Sequence, residues 1–531
     1  MEIKALVEGI LEKMTLKEKI YQTICHHSGI PEKTFYTENE EELKAYAEQH
    51  PYGSFFLGEE IIGGNAVKGA NIAAAIKRYQ KYAKYPALFC GDTEYGAGYM
   101  LENDDAGVFP YQMALGATRD TSLAYEYGKY TALDAAVTGI NWSLAPVADI
   151  NYNFINPVTN TRAFGDDAEL VAEMADAVVR GMQDYGLAAT AKHFPGDGTD
   201  YRDQHYVTTT NRLSVEEWKK TYGMVYKKLI DSGVMSIMAG HINFPAYQKE
   251  RFDGMALPGS LSKELLTDLL KGEMGFDGVI VSDAVWMNGF LTFYQPTVVA
   301  EIESFKAGCD IILWPSAAYP EMLEKAINEG SVTMERLDDA VTRILTMKAK
   351  LGLLGNKVEF KTDTRDGSYV MDKRVAEAAV TLVKDRHNQL PVKDIKKVTI
   401  IGITTYDEDF NSLQSMKSQF EANGVAVDLF RHECPTTPCA DSDLIIYVTF
   451  IRQHHPRVFL DTEFSWQTAT FAREKVCAVA LGSPYMLSAH FETVPMAIAA
   501  YSDTKGCQRA VADAICGKIA FKGTLPVKLP N

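Results

Sequence analysis

The sequence predicts an α/β protein of two parts, an N-terminal (β/α)8-type (TIM-like) barrel followed by a C-terminal three-layer α/β/α sandwich. Three observations predict it. Short apolar runs alternate with amphipathic stretches through residues 1–355. A long cationic amphipathic segment, RLDDAVTRILTMKAKLGLLG (336–355), is then followed by the polar stretch NKVEFKTDTRDGSY. Beyond it, a second βα alternation begins, with strands that read as continuous apolar runs, as parallel buried strands do. The domains are therefore drawn as 1–355, a linker over 356–374, and 375–531. Seven or eight βα units over the first part fit a closed barrel, and an open doubly wound sheet is the competing arrangement.

The candidate strands of the first part are 52–58, 87–92, 141–150, 187–194, 233–242, 278–283 and 309–315. Each carries polar residues at its C-terminal end. The segment DDAELVAEMADAVVRGMQDYG (166–186) shows apolar residues at three- and four-residue spacing, with Gly186 as a helix stop. In the second part the strands are expected at 398–404, 443–450, 476–484 and 496–502.

Composition narrows the classes of function. The chain has 531 residues, 46% hydrophobic and 23% charged, as globular domains do. Lys plus Arg is 53 and Asp plus Glu is 70, so the net charge is 53 − 70 = −17. Such a chain lacks the positive field of a general nucleic-acid binder. The N-terminus shows no secretory h-region, and no apolar run is long enough to span a membrane. The eight cysteines (Cys25, Cys90, Cys309, Cys434, Cys439, Cys477, Cys507 and Cys516) form no C-x-x-C pair and read as reduced thiols. A cytoplasmic protein is expected.

The chemistry of a parallel α/β fold sits where strands end, because loops there vary over a fixed scaffold. Those ends carry Asp92 and Glu94, Asp149, Arg162, Lys192 and His193, Asp203 and His205, His241, and Asp283. Any one of them alone reads as a structural hydrogen-bonder. Together they read as a site, since gathering unpaired charge at one rim would otherwise cost several kcal/mol. Asp283 ends the apolar strand GVIVSD, so its carboxylate is rigidly held and suits attack on a positive centre. Asp203 and His205 are two apart in a polar loop, which puts them on one side of an extended chain as an orienter and a base. The loop TDYRDQHY is flexible by composition, so closure is expected to deliver the pair. Two other readings use the same residues: a metal site of His193, Asp203, His205, His241 and Asp283, and a non-catalytic sugar-binding or assembly protein.

AKHFPGDG (191–198), DQH (203–205), PGSLSKELLTDLLKGEMGFDGVIVSDAVWM (258–287) and AGCDIILWP (307–315) resemble glycoside hydrolase family 3. So do MTLKEKIYQ (14–22), RLDDAVTRILTMKAKLGL (336–353) and AVTLVKDRHNQLPV (379–392). The K-H-F-P-G-H-G and D-S-H patterns point to its β-N-acetylglucosaminidase branch. The resemblance implies a retaining β-glycosidase with Asp283 as nucleophile and the Asp203–His205 pair as general acid/base. It places Asp92, Arg162, Lys192 and His193 on the sugar hydroxyls. No cofactor or metal is implied. The partner expected is a small glycoside, with neither nucleic acid nor membrane, and the chain is expected as a monomer or homodimer.

The chain departs from the branch pattern at several places. Ala284 stands for the second aspartate of S-D-D-[LM], and Asp197 for the second histidine of K-H-F-P-G-H-G. Gln204 replaces the loop serine, a change expected to be neutral. The pattern D-Q-E-G-G-R reads Asp92-Thr93-Glu94-Tyr95-Gly96-Ala97, so its arginine is missing and Tyr95 adds bulk. The expected activity is removal of a terminal non-reducing β-N-acetylhexosamine, GlcNAc first. Alternatives are a β-glycoside phosphorylase on the same fold, another sugar (a β-glucoside or β-GalNAc), and a metal-dependent barrel hydrolase. Trp286, three residues after Asp283, is the best candidate for stacking on a sugar; Trp142 and Trp466 read as core, and His454-His455 as surface.

Overall fold

The computed structural model describes residues 3–530 apart from 28–32, 58–60, 63–64, 67–68, 102–105, 405, 433–438 and 451–472. Cys434, His454, His455 and Trp466 lie outside the described residues. The chain divides into two compact units. One comprises 1–107, 124–149 and 175–368, and the other 108–123, 150–174 and 369–531.

Among the described residues, the ring of the first unit is made of eight parallel strands: β1 (Ile24–His27), β2 (Ser54–Phe56), β3 (Leu88–Gly91), β4 (Trp142–Ser143), β5 (Thr190–Phe194), β6 (Ser236–Ala239), β7 (Val279–Ser282) and β8 (Ile312–Leu313). β8, β1, β2, β3 and β4 are hydrogen-bonded in that order, and β5, β6 and β7 form the other arc. Parallel bridges Trp142–Ala188 and Val281–Ile311 join the arcs, so the ring closes. The open-sheet alternative is thereby excluded. Cys25, Phe56, Leu88, Cys90, Trp142, Met238, Val279 and Val281 belong to one buried cluster of this unit. Truncating a large side chain in such a cluster costs about 2–5 kcal/mol.

The helices between strands start where short polar side chains satisfy the first N–H groups. Thr15 and Glu18 form a reciprocal capping box on Leu16–Gln22, and Ser214 and Glu217 do the same for Val215–Lys220.

β1 was not among the expected strands. Its sequence, ICHH, offers two apolar residues, and its identity comes from pairing on both sides. The span expected as one strand over 141–150 is a ladder only at Trp142–Ser143. The chain then stays buried to Asp149, with Val147 bridged to Lys192. The span read as a linker is tied down: Lys361 bonds Asp184 at 2.5 Å, Arg365 bonds Asp134 at 2.8 Å, and Asp363 pairs with Lys129. A helix, Ser368–Ala379, begins within it.

The second unit is built on a six-stranded sheet of β9 (Thr381–Asp385), β10 (Lys397–Thr404), β11 (Ala426–Arg431), β12 (Leu444–Phe450), β13 (Val476–Ala480) and β14 (Met496–Ala499). The order is β9-β14-β13-β12-β10-β11, and only β9 is antiparallel. On one face Val398, Ile400, Ile446, Val448 and Ile498 pack with Met416, Phe420, Val511 and Ile515 from two helices. On the other face the Tyr447 ring meets Phe491 of helix Tyr485–Phe491 at 6.0 Å. The result is the three-layer sandwich expected. Two stretches from the N-terminal half belong to this unit through local ties. The Thr524 N–H donates to the Ala117 carbonyl at 2.9 Å, the Asn151 amide to the Tyr485 hydroxyl at 3.0 Å, and the Asp166 backbone N–H to the Pro526 carbonyl at 3.1 Å.

Among the described residues no helix is long and apolar enough to cross a membrane. Six of the seven described cysteines are buried, and the Cys25 and Cys90 sulfurs lie 3.6 Å apart.

Candidate active site

The C-terminal ends of β3, β5, β6 and β7 and the loops that follow carry the first unit's polar residues. At β3, Asp92 and Glu94 flank a cation from β5. Lys192 Nζ donates to Asp92 at 2.8 Å and pairs with Glu94 at 2.6 Å, with only 3% of its side chain exposed. Adjacent residues on a regular strand point to opposite faces, yet Lys192 and His193 both serve this rim. The ladder between β5 and β6 shifts register between Ala191 and Phe194, which supplies the needed irregularity.

His193 is held by Asp149, whose carboxylate is fully buried. Asp149 Oδ2 lies 2.7 Å from His193 Nδ1, and Oδ1 accepts from the N–H groups of His193 at 3.1 Å and Asp197 at 2.7 Å. Asp149 therefore places the His193 proton on Nδ1 and turns Nε2 to the other side.

Asp283 follows β7, and one carboxylate oxygen accepts the Ala284 N–H at 2.8 Å. Burial would raise its pKa, but the imidazoles of His193, His241 and His205, with the Ala284 N–H, outweigh it and hold the carboxyl below its ordinary value. Three imidazoles thus converge on this carboxylate from β5, β6 and the Asp203–His205 loop.

Asp203 and His205 are paired as their spacing predicts. Asp203 Oδ1 sits 2.5 Å from His205 Nδ1 and accepts the His205 backbone N–H at 2.8 Å. Nε2 is then the ring nitrogen not bonded to Asp203. The Asp203 side chain is 9% exposed and that of His205 41%, so the ring reaches solvent while its orienter does not.

The flexible loop expected here is instead tied to the chain after Asp283. The Asn288 N–H donates to the His205 carbonyl at 3.0 Å, and the Thr208 hydroxyl to the Gly289 carbonyl at 2.8 Å. Gly289 permits the approach, since a Cβ there would meet the Gln204 carbonyl oxygen at 2.6 Å. Nor is Gln204 a bystander: its Oε1 accepts the His241 N–H at 3.0 Å. His241 is fully buried. Its Nε2 donates to the Ala284 carbonyl at 2.9 Å, so Nδ1 accepts from the Ser260 hydroxyl at 2.8 Å. Burial lowers its pKa despite the Asp283 charge.

Arg162 is grouped with the other unit, in the turn Asn160–Arg162, where its carbonyl accepts from Gln112 at 2.5 Å. Ala97, at the position of the missing arginine, is fully buried, and Tyr95 is 2% exposed with its ring against Tyr99. Trp286 is 54% exposed and stands edge-on to Trp314, with centroids 4.6 Å apart. Both line a cavity of about 300 Å³ together with His26, His27 and Tyr52. Trp142 is core, as read. Among the described residues no group of three or more His, Cys, Asp or Glu side chains is placed to hold a metal ion.

Glu94, Asp149 and His241 stand at strand ends in the sequence, but their partners could not be named there. Gln204 gave no signal beyond its departure from serine.

A closed parallel barrel with carboxylates and imidazoles gathered at one strand-end rim defines an enzyme of the barrel class, with its chemistry at that rim. The model of the glycosyl hydrolase family 3 N-terminal domain matches residues 15–347, and the chain belongs to that family. It is 37% identical over 402 residues, 73% of this chain and 68% of the relative, to a β-N-acetylglucosaminidase/β-glucosidase of Cellulomonas fimi. It is 29% identical over 374 residues to β-hexosaminidase A of Pseudoalteromonas piscicida, covering 65% of this chain but 61% of that relative's length. Among solved structures, β-glucoside phosphorylase BglX bound to 2FGlc superposes with a TM-score of 0.85 at 28% identity, covering 99% of this chain and 96% of that one. A family 3 β-N-acetylglucosaminidase from Paenibacillus sp. str. FPU-7 gives a TM-score of 0.82 at 26% identity, with 97% and 99% covered.

Proposed function

We propose that this enzyme is a retaining β-glycosidase that removes a terminal non-reducing β-N-acetylhexosamine, GlcNAc first, from a small glycoside. The observation that carries the reading is the 2.5 Å pairing of His205 with Asp203 on a loop bonded to the segment after Asp283. In the first step an Asp283 oxygen attacks the anomeric carbon. The bond to the leaving oxygen breaks, and that oxygen takes the proton of His205 Nε2. In the second step water attacks the anomeric carbon, gives its proton to Nε2, and the bond to Asp283 breaks. This is the double-displacement scheme with an imidazole in place of one carboxylic acid. The depressed pKa of Asp283 supports a nucleophile ionised at neutral pH. Asp92, Lys192 and His193 hydrogen-bond the sugar hydroxyls in this reading.

The names of the relatives from Cellulomonas fimi and Pseudoalteromonas piscicida support the sugar. Asp283→Asn is expected to abolish turnover of an aryl β-GlcNAc substrate; wild-type turnover in that variant would overturn the assignment.

A second reading keeps the same residues and replaces water by phosphate. The similarity to a β-glucoside phosphorylase favours it, and a neutral imidazole does not repel an incoming anion as a carboxylate would. Aryl β-GlcNAc and β-glucoside turnover with and without phosphate, analysed for a sugar 1-phosphate, separates the two.

A further inference from the structure

We infer that Gln204 and His241 are positioning residues that hold the His205 loop against the nucleophile turn, so that acid/base and nucleophile are assembled before substrate arrives. This rests on the proposed roles of Asp283 and His205. Gln204 lies between the two members of the pair, and its side chain turns away from them. Its Oε1 takes the main-chain N–H of His241, 37 positions along the chain. The His241 ring then reaches the carbonyl of Ala284, the residue next to Asp283, through Nε2. The chain of contacts runs from the pair, through β6's exit, to the nucleophile.

Each contact is geometrically determined. Gln204 is 1% exposed and His241 fully buried, so neither exchanges its partner for water. A carbonyl only accepts, which makes Nε2 the donor and leaves Nδ1 for the Ser260 hydroxyl at 2.8 Å. The ring therefore has one tautomer and one orientation. Two further backbone ties, Asn288 to His205 and Thr208 to Gly289, run alongside. A serine at position 204 carries its oxygen two atoms nearer the main chain and does not span this gap. The loop that carries His205 is thus already docked.

The test measures kcat and KM on two β-glycosides of the sugar the enzyme accepts: a dinitrophenyl one, which needs no proton on departure, and a poor alkyl or monophenyl one, which does. Gln204→Ala and Gln204→Ser are each expected to lower kcat/KM, which reports the leaving-group step, on the poor leaving group by about 10–100-fold. Both should leave kcat/KM on the dinitrophenyl glycoside within about threefold. The retained dinitrophenyl rate also reports a folded protein, and the serine variant carries the test should alanine fail to fold. His205→Ala, run in parallel, should show the same selectivity more strongly. If His205→Ala is selective and the Gln204 variants lose nothing, or lose both rates equally, the positioning role is refuted while the mechanism stands. If His205→Ala itself falls equally on both substrates, the acid/base reading fails and takes this inference with it.

Discussion

Replacing Lys192 by methionine keeps the length of the stem and removes the charge. The ammonium is 3% exposed and lies 2.6 Å from Glu94 and 2.8 Å from Asp92. Without it Glu94, 5% exposed, becomes a buried carboxylate facing a second one. Breaking a buried pair from one side costs about 3–5 kcal/mol, because the partner's charge stays behind. Asp92 is 35% exposed, so water screens its share and the two contacts do not add in full. At about 2–3 °C per kcal/mol for a unit of this size, melting should fall by about 6–15 °C. The assay is thermal or urea unfolding of Lys192→Met beside the parent, with kinetics on an aryl glycoside in the same preparation. Adding Glu94→Gln should recover part of the loss, since one of the two facing carboxylate charges is then gone, and a double-mutant cycle gives the coupling. A single variant that melts within 1 °C of the parent, on the scale of about 2–3 °C per kcal/mol, would show that the Lys192 ammonium does not stabilise this buried cluster.

Asp283 is held below the ordinary aspartate range, so its ionised form persists as pH falls. The acid limb of kcat/KM on a dinitrophenyl glycoside should lie below the usual carboxylate value; a limb above it would overturn the electrostatic account. His26 is pushed down to about 4, first by burial and then by the charges of His27 and His50. The unfolded chain binds the proton more readily, so stability present above about pH 6.5 is lost as pH falls towards 4, by at most about 3 kcal/mol. His26→Phe should flatten this slope in unfolding measured from pH 7 to 4, and an unchanged slope would reject it. Trp286, exposed at the mouth of the aromatic cavity, should act on binding alone. Trp286→Ala is expected to raise KM for aryl glycosides severalfold and to shift stability by no more than about 0.5 kcal/mol.

Most of the rim was legible because it sits where apolar runs end. Asp92 and Asp283 directly follow a strand, Lys192 and His193 lie in the last three residues of β5, and Asp203 and His205 are paired by a two-residue spacing that survives folding. β1, β9 and β11 were not legible, because their residues are partly polar and their strand character comes from neighbours. The loop was expected to be mobile, since TDYRDQHY is polar throughout. Composition does not record that Gln204, Thr208 and the His205 carbonyl find partners on two other segments. Arg162, drawn into the same site by pattern, belongs to the other compact unit.

Periodicity and strand-terminal polarity are local properties of the chain, so the two α/β parts and the placing of acids and imidazoles at strand ends can be read along it. The tertiary structure alone decided how those groups act on one another. It closed the ring through bridges that no apolar run announces. It joined His193 to Asp149 across 44 positions, Lys192 to Asp92 across 100 and Gln204 to His241 across 37. Such contacts are set by how neighbouring strands register in the barrel, and register is a property of the packed sheet, which no single segment carries.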